Sequence, residues 1–374
     1  MKRTLSILFL ASAALVAGTG TAAADPGAAG CDVPGAHCVM SGLDNPRGLA
    51  FGPEGALYVA EAGRGDIGEG DGPCAAAFNV CYGATGAVSR LWHGDQARVV
   101  TGLPSYATVA ATPSTPSGTA IGPDDIAMLG PGSAHVTIGL DASPVARDQL
   151  AADQPEWAGF GRLVQVTPGG PWRFTADLGS YEDQQNPDPR IKDSNPYGLL
   201  ALPGATVVAD AGGNDLLRVG ADGDISLLAV LPPVPLARDH DPVPTSVAVG
   251  PDGAYYVGQL TGNPFTDGAA SIYRIVPGGA PQVYLTGFKT IIDITFDPDG
   301  NLYVLQYVTG PIGLGGPGAL IRVAADGSRT TIINGLDHPT SVAVGPDGAL
   351  YLTNHGLSVG GGEVLKIEPP AASQ

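Results

Sequence analysis

Eight polar residues stand at recurring places in a repeated phrase and carry the chemistry open to this chain: Glu61, Asp125, Asp210, Gln259, Asp293, Gln306, Asn354 and His355. Carboxylates and amides gathered round a ring are hard oxygen donors, suited to calcium or magnesium. Asp125 and Asp293, which share one column of the repeat, are the candidate metal ligands. Glu61, Asp210, Gln259, Gln306, Asn354 and His355 are the candidate ligand-binding residues. The competing reading makes these side chains structural, bonded to neighbouring strands and channel water. A histidine such as His355, His338 or His240 becomes a general base only with a carboxylate and a nucleophile in reach, and His338 equally suits the turn before Pro339, as Asn45 does before Pro46 and Asn195 before Pro196. No G-x-S-x-G, H-E-x-x-H or phosphate-binding glycine motif occurs, so no catalytic residue is assigned.

The elements that must position these residues follow from the repeat. "GLDNPRGLAFGPEGALYVAEAG" near the start returns as "GLDHPTSVAVGPDGALYLTNHG" near the end. Related phrases align on Pro46, Pro123, Pro196, Pro244, Ile291 and Pro339, three steps of about 48 residues and two of about 75. A four-stranded propeller blade takes roughly 40–50 residues, so the longer steps are the same unit with insertions. Pro-Asp-Gly between β-branched runs is hairpin chemistry, with glycine taking the positive-φ place. Helical periodicity is nearly absent, and the best helix candidate is 143–157.

The sixth unit stops after three strands (341–345, 350–354 and 363–368), and the start of the chain supplies an orphan strand, "HCVMSGL" (37–43). The expected fold is therefore all-β: a six-bladed β-propeller of four-stranded antiparallel blades, closed by an N-terminal strand completing the last blade. Closure removes exposed sheet edges. The expected organisation is a signal peptide at 1–24, a lead-in at 25–36, one propeller at 37–369 and a tail at 370–374.

Lys2 and Arg3, the apolar run Leu5–Val16 and Ala22-x-Ala24 form the secretory pattern, which predicts a secreted, extracellular protein. No later run is long enough for a membrane anchor. Removing the leader leaves the chain two charges more negative than the −18 of the whole sequence. Such a surface repels phosphate backbones and excludes nucleic acid as a partner. In an exported chain the cysteines Cys31, Cys38, Cys74 and Cys81 predict local disulfides, 31–38 and 74–81. No C-x-x-C spacing supports a zinc site.

The N-P-x-G-L-A-F-x-P-x-G-x-L-Y-V-A phrases resemble NHL-type propeller repeats. A signal peptide followed by six such units over 37–369 resembles the secreted ScyD/ScyE family, which implies a secreted propeller without a catalytic residue list. Gluconolactonase-like propellers are also similar. They hold a divalent metal in the central mouth through one Glu and a few Asn and Asp residues, but their Glu falls at Gly48 here and their Asn at Arg47, Tyr197, Thr245 or Thr340. "GLAFGPEGALYVAEAGR" resembles quinone-dependent sugar dehydrogenases as well, without their His and Arg pattern.

Blade topology places the turns after the first and third strands on one face, and these are short here. The long segments (62–86, 105–121, 141–160, 181–194, 232–243, 260–269 and 307–318) all fall on the other. One-sided loops on a rigid scaffold mark the functional face. The expected function is a binding or accessory protein, a monomer, that takes a small molecule or an extracellular protein on this face. The alternative is a metal-dependent hydrolase or lactonase of the gluconolactonase-like class. Within the loops, 111–119 is Ser/Thr/Pro-rich, and Asp66, Glu69 and Asp71 beside Cys74 and Cys81 form an acidic loop without EF-hand spacing.

Overall fold

Alternating apolar residues and Pro-Asp-Gly turns produce hairpins throughout the chain. In the computed structural model, which describes residues 33–66, 72–76, 78–108, 119–234, 241–263, 265–310 and 316–368, the hairpins are grouped into six antiparallel sheets. Gly253 and Gly348 take φ of 77° and 79° at the tips of two such turns, where a Cβ would strain the backbone. Each turn is closed by a pair of backbone bonds, as in Gly253 N–H to Gly250 C=O and Gly250 N–H to Ala254 C=O.

The second blade comprises Pro123–Gly130, Ser133–Ile138, Arg162–Val166 and Trp172–Asp177, and the third Pro196–Leu202, Ala205–Asp210, Asp215–Gly220 and Ile225–Val230. The fourth comprises Pro244–Val249, Tyr255–Gln259, Ala270–Ile275 and Gln282–Phe288, and the fifth Ile291–Phe296, Leu302–Gln306, Gly318–Val323 and Arg329–Leu336. In the sixth, Val342–Val344, Leu350–Asn354 and Gly362–Ile367 are completed by His37–Leu43 from the start of the chain. The register pairs His37 with Lys366, Cys38 with Leu365, Met40 with Val364 and Leu43 with Gly362. The propeller is closed by this clasp.

The first blade departs from four strands. Pro46–Phe51, Leu57–Glu61, Val80–Trp92 and Asp95–Thr108 are joined by the two-residue strands Ala120–Ile121 and Cys74–Ala75. The last part of the expected 62–86 loop, from Val80, instead prolongs the third strand, because Val80–Gly83 keeps pairing with Ser105–Thr108 beyond the blade edge. Cys74 and Cys81 are partners in that added ladder and form a disulfide. Cys31 lies outside the described residues, so the 31–38 pair is not observed.

Blades pack face to face through small and β-branched residues. Val257 and Val304, each fully buried in a neighbouring blade, contribute about 1.5–3 kcal/mol apiece relative to exposure. The predicted helix at 143–157 is present as Pro144–Asp153 followed by a 3₁₀ turn, Pro155–Gly159. A second helix, Leu178–Gln185, occupies part of the segment read as the 181–194 loop. Its N-cap, Asp177, accepts the Ser180 N–H at 2.8 Å, a signal that outweighs a weak apolar period. Among the described residues no helix is long and apolar enough to cross a membrane.

Candidate functional site

The two helices and the disulfide ladder all lie in connections on the long-loop face, while the opposite face carries only tight turns. Five of the candidate ligand-binding residues end second strands and are 6 % exposed or less. Their polar atoms fasten the linker that enters their own blade. Glu61 accepts the Asp44 N–H at 2.7 Å, Asp210 the Asn195 N–H at 2.6 Å, Gln306 the Lys289 N–H at 2.8 Å and Asn354 the Asp337 N–H at 2.8 Å. Gln259 donates to Pro242 C=O at 3.3 Å. Glu61 also binds Arg98 at 2.6 and 3.0 Å and Ser89 at 2.6 Å. This column secures the linkers and presents little surface to an incoming ligand.

Asp125 and Asp293 play a comparable part between blades. Asp125 accepts the N–H of Leu199 in the next blade at 2.7 Å and that of Ile126 at 2.8 Å. Asp293 accepts Ser341 Oγ–H at 2.7 Å and Val342 N–H at 2.8 Å, both in the next blade, with Ile294 N–H at 2.7 Å. Ser341 in turn accepts Leu49 N–H at 3.2 Å, which carries the seam into the first blade. Burial raises Asp293 to about 6, and burial with the Asp293 charge pushes Asp125 well above the carboxylate range. Gly48, Gly198 and Ser246 complete the column, and at Gly48 a Cβ would lie 1.8 Å from an Asp125 oxygen. Among the described residues no three His, Cys, Asp or Glu side chains are set to hold a metal.

One position before this column, Arg47 and Asp124 face each other between the first and second blades at 3.5 Å, with side chains 6 % and 2 % exposed. Arg47 also donates to Ala120 C=O at 3.0 Å and to Gly356 C=O. Burial lifts Asp124 to about 7 against the pull of Arg47. A fixed guanidinium between these blades disfavours a second cation beside it. Arg47→Met should cost about 3–5 kcal/mol in urea unfolding at pH 8 by leaving Asp124 buried without a counterion. The loss should shrink at pH 5.5, where Asp124 is protonated.

His355, 38 % exposed, shares a hydrogen bond with Asp337 at 2.8 Å, and His338 shares one with the other Asp337 oxygen at 2.5 Å. The two imidazoles hold Asp337 well below the carboxylate range, and Asp337 raises His355. That shift holds the proton on His355 more tightly than on a free imidazole, which disfavours the neutral form a general base needs. His240 lies outside the described residues.

The feature not legible in the sequence is an aromatic cleft between the first two blades. Its walls are Phe78, Val80, Tyr106, Leu150 and Trp157, its cavity volume is about 40 Å³ in a mouth open to solvent, and Asp141 and Arg147 edge it. Trp157 packs against Tyr106 and Phe160, with ring centres 5.6 and 5.7 Å apart. Burial, with the neighbouring Asp193 and Asp124, raises Asp141 well above the carboxylate range. Arg147 is committed to Asp177 at 2.8 Å and Phe160 C=O at 3.0 Å. The only sequence signal was that these aromatics fall in the long segments 62–86, 105–121 and 141–160.

No protein-family model matches the chain, and no curated protein matches it. Similar solved structures include a calcium-binding protein, regucalcin, from Agrobacterium tumefaciens (14 % identity, 90 % of this chain and 94 % of that one, TM-score 0.51). A candidate gluconolactonase is similar at 13 % identity over 89 % and 94 %, with a TM-score of 0.50. A protein of unknown function from Bacteroides thetaiotaomicron is similar at 11 % identity over 88 % and 71 %, with a TM-score of 0.53. At these identities the likeness is one of fold: the chain is a six-bladed β-propeller with neighbours in the gluconolactonase and regucalcin class of propellers.

Proposed function

We propose that the protein is a secreted binding or accessory propeller of the ScyD/ScyE type, which takes an apolar, aromatic small molecule on its long-loop face. The observation that supports this reading is the cleft at Phe78, Tyr106 and Trp157, built from the three longest segments on one face of a closed scaffold. Ligand sites are concave and mostly apolar, with a few polar groups at the edge. Aromatic walls supply stacking and area, and the Tyr106 hydroxyl is already spent on Leu140 C=O at 2.6 Å. At the edge Arg147 is engaged by Asp177 and burial disfavours the charged form of Asp141, which favours an uncharged ligand. Export is supported by the leader pattern and is compatible with the Cys74–Cys81 disulfide. Among the described residues no group of three His, Cys, Asp or Glu side chains supports the metal that the lactonase alternative needs.

The test uses N-phenyl-1-naphthylamine, a neutral aromatic probe, followed by its fluorescence. Saturable binding is expected, and Ala146→Trp, which fills the cleft from its edge, should weaken it at least tenfold while leaving the melting temperature unchanged. A linear response, or equal binding by Ala146→Trp, would sink the reading. Turnover of lactones that survives Ala146→Trp would favour the hydrolase.

A further inference from the structure

The central channel differs at its two ends. At the long-loop end it is filled. Tyr197 and Ile292, at the starts of first strands, and Leu260 and Tyr307, just past the ends of second strands, pack in one apolar cluster that Phe265 joins. The ion pair of Arg47 and Asp124 is buried at the same level.

At the short-turn end the channel is open. Phe51, Val249, Phe296 and Val344, at the ends of the first strands of four blades, wall a cavity of about 550 Å³, with turn prolines such as Pro251 and Pro346 at its rim. Ligand pockets span roughly 300–1,000 Å³, so the space suits a small molecule. Its aromatic walls are held in place by their neighbours. Phe51 meets Tyr351 edge-on with ring centres 4.9 Å apart, and Phe296 meets Tyr256 at the same distance.

The polar groups of this wall are already engaged. Gly250 N–H donates to Ala254 C=O at 2.9 Å and Gly345 N–H to Ala349 C=O at 2.8 Å. The Asp297 carboxylate accepts the Asn301 N–H at 2.8 Å and the Asn301 amide at 2.7 Å. The turn carboxylates beyond the rim are paired within their own blades, Asp252 with Arg274 at 2.6 Å and Asp347 with Lys366 at 2.9 Å. A charged ligand would give up hydration here and gain no partner for it.

From this arrangement we infer that the short-turn mouth of the channel is a second small-molecule site, distinct from the cleft on the long-loop face, and that it takes an uncharged, bulky alicyclic molecule. Val249 is 40 % exposed and leaves apolar surface for such a ligand to cover. Walls from four blades enclose a compact space rather than a groove, which suits a fused ring system better than a long chain. A rigid ring system also loses little conformational freedom on binding.

Equilibrium dialysis of the mature protein against radiolabelled progesterone, a neutral steroid, is the test. Saturable binding of one molecule per chain is expected. Val249→Glu and Pro346→Glu, which put a charge on the wall from two different blades, should each weaken it at least tenfold. Both positions are exposed, so the melting temperature should stay at the wild-type value. Ala146→Trp should leave steroid binding intact, because the cleft lies on the other face. Non-saturable binding, or wild-type affinity in either glutamate variant, would overturn the proposal. Loss of binding in Ala146→Trp would overturn it too, by assigning the steroid to the cleft. A wild-type dimer in sedimentation velocity that Val249→Glu turns into a monomer would make the mouth an interface between two copies instead.

Discussion

A chain that begins after Leu43 should lose cooperative folding, or melt far below the full mature protein. His37–Leu43 is the fourth strand of the last blade and buries Met40 and Leu43 to 2 % and 1 % exposure. Losing either large apolar side chain from a core typically costs 2–5 kcal/mol. Removing both, with the whole ladder to Gly362–Ile367, costs at least about 5 kcal/mol, against a total stability of about 5–15 kcal/mol for a domain. The deletion also bares the edge of a strand whose Val364 and Leu365 are fully buried, an invitation to aggregation. Closure between the sixth and first blades rests on adjacent contacts: Asn45 N–H to Ser358 C=O at 2.7 Å and Thr340 Oγ–H to Pro46 C=O at 2.8 Å. Because neighbouring repeats stabilise one another, the loss should spread beyond the sixth blade. Met40→Asp gives a graded version. Calorimetry checks both, and a truncated chain melting cooperatively at the wild-type temperature would refute the clasp's importance.

Stability should be greater in mild acid than at neutrality, an inversion of the common pattern for carboxylate-rich proteins. Burial raises Asp124 and Asp193 to about 7 and Asp293 to about 6 from an ordinary 3.8, and raises Asp141 well above it. The folded state therefore holds these protons more tightly than the unfolded chain does. Their contribution is complete below about pH 4 and is lost as the pH rises through about 6 to 7. A tenfold difference in proton affinity between the folded and unfolded chain is worth about 1.4 kcal/mol. Asp337 works in the opposite sense: its depressed value stabilises above the ordinary carboxylate range, and that contribution fades in stronger acid. The optimum should fall near pH 4–5, with melting at pH 5 at least about 5 °C above that at pH 8. A flat profile between those values, or a higher melting temperature at pH 8, would show that these carboxylates are not desolvated as the fold requires.

The blades, their order and the clasp were legible in the sequence because they depend on local signals. The two-residue alternation of Ser341–Val344 and Leu350–Thr353, the glycine at each turn tip and the repeat length need no knowledge of distant parts. The single column holding Asp125, Asp293, Gly48 and Ser341 followed from the same register. Its work did not: that Asp125 reaches Leu199, and Asp293 reaches Ser341, depends on how closely neighbouring blades pack. The helix at Leu178–Gln185 was missed because its cap and its packing partners, rather than its periodicity, stabilise it.

What the sequence determined by itself is a closed six-bladed ring with its long loops on one face, since period and turn chemistry act within a few residues. Only the tertiary structure decided where those loops meet. It joined Phe78 and Tyr106 to Trp157 in a cleft and set Arg47 against Asp124. Each of these sites joins residues from different elements, and their approach is governed by blade packing and loop path, which no spacing along the chain records.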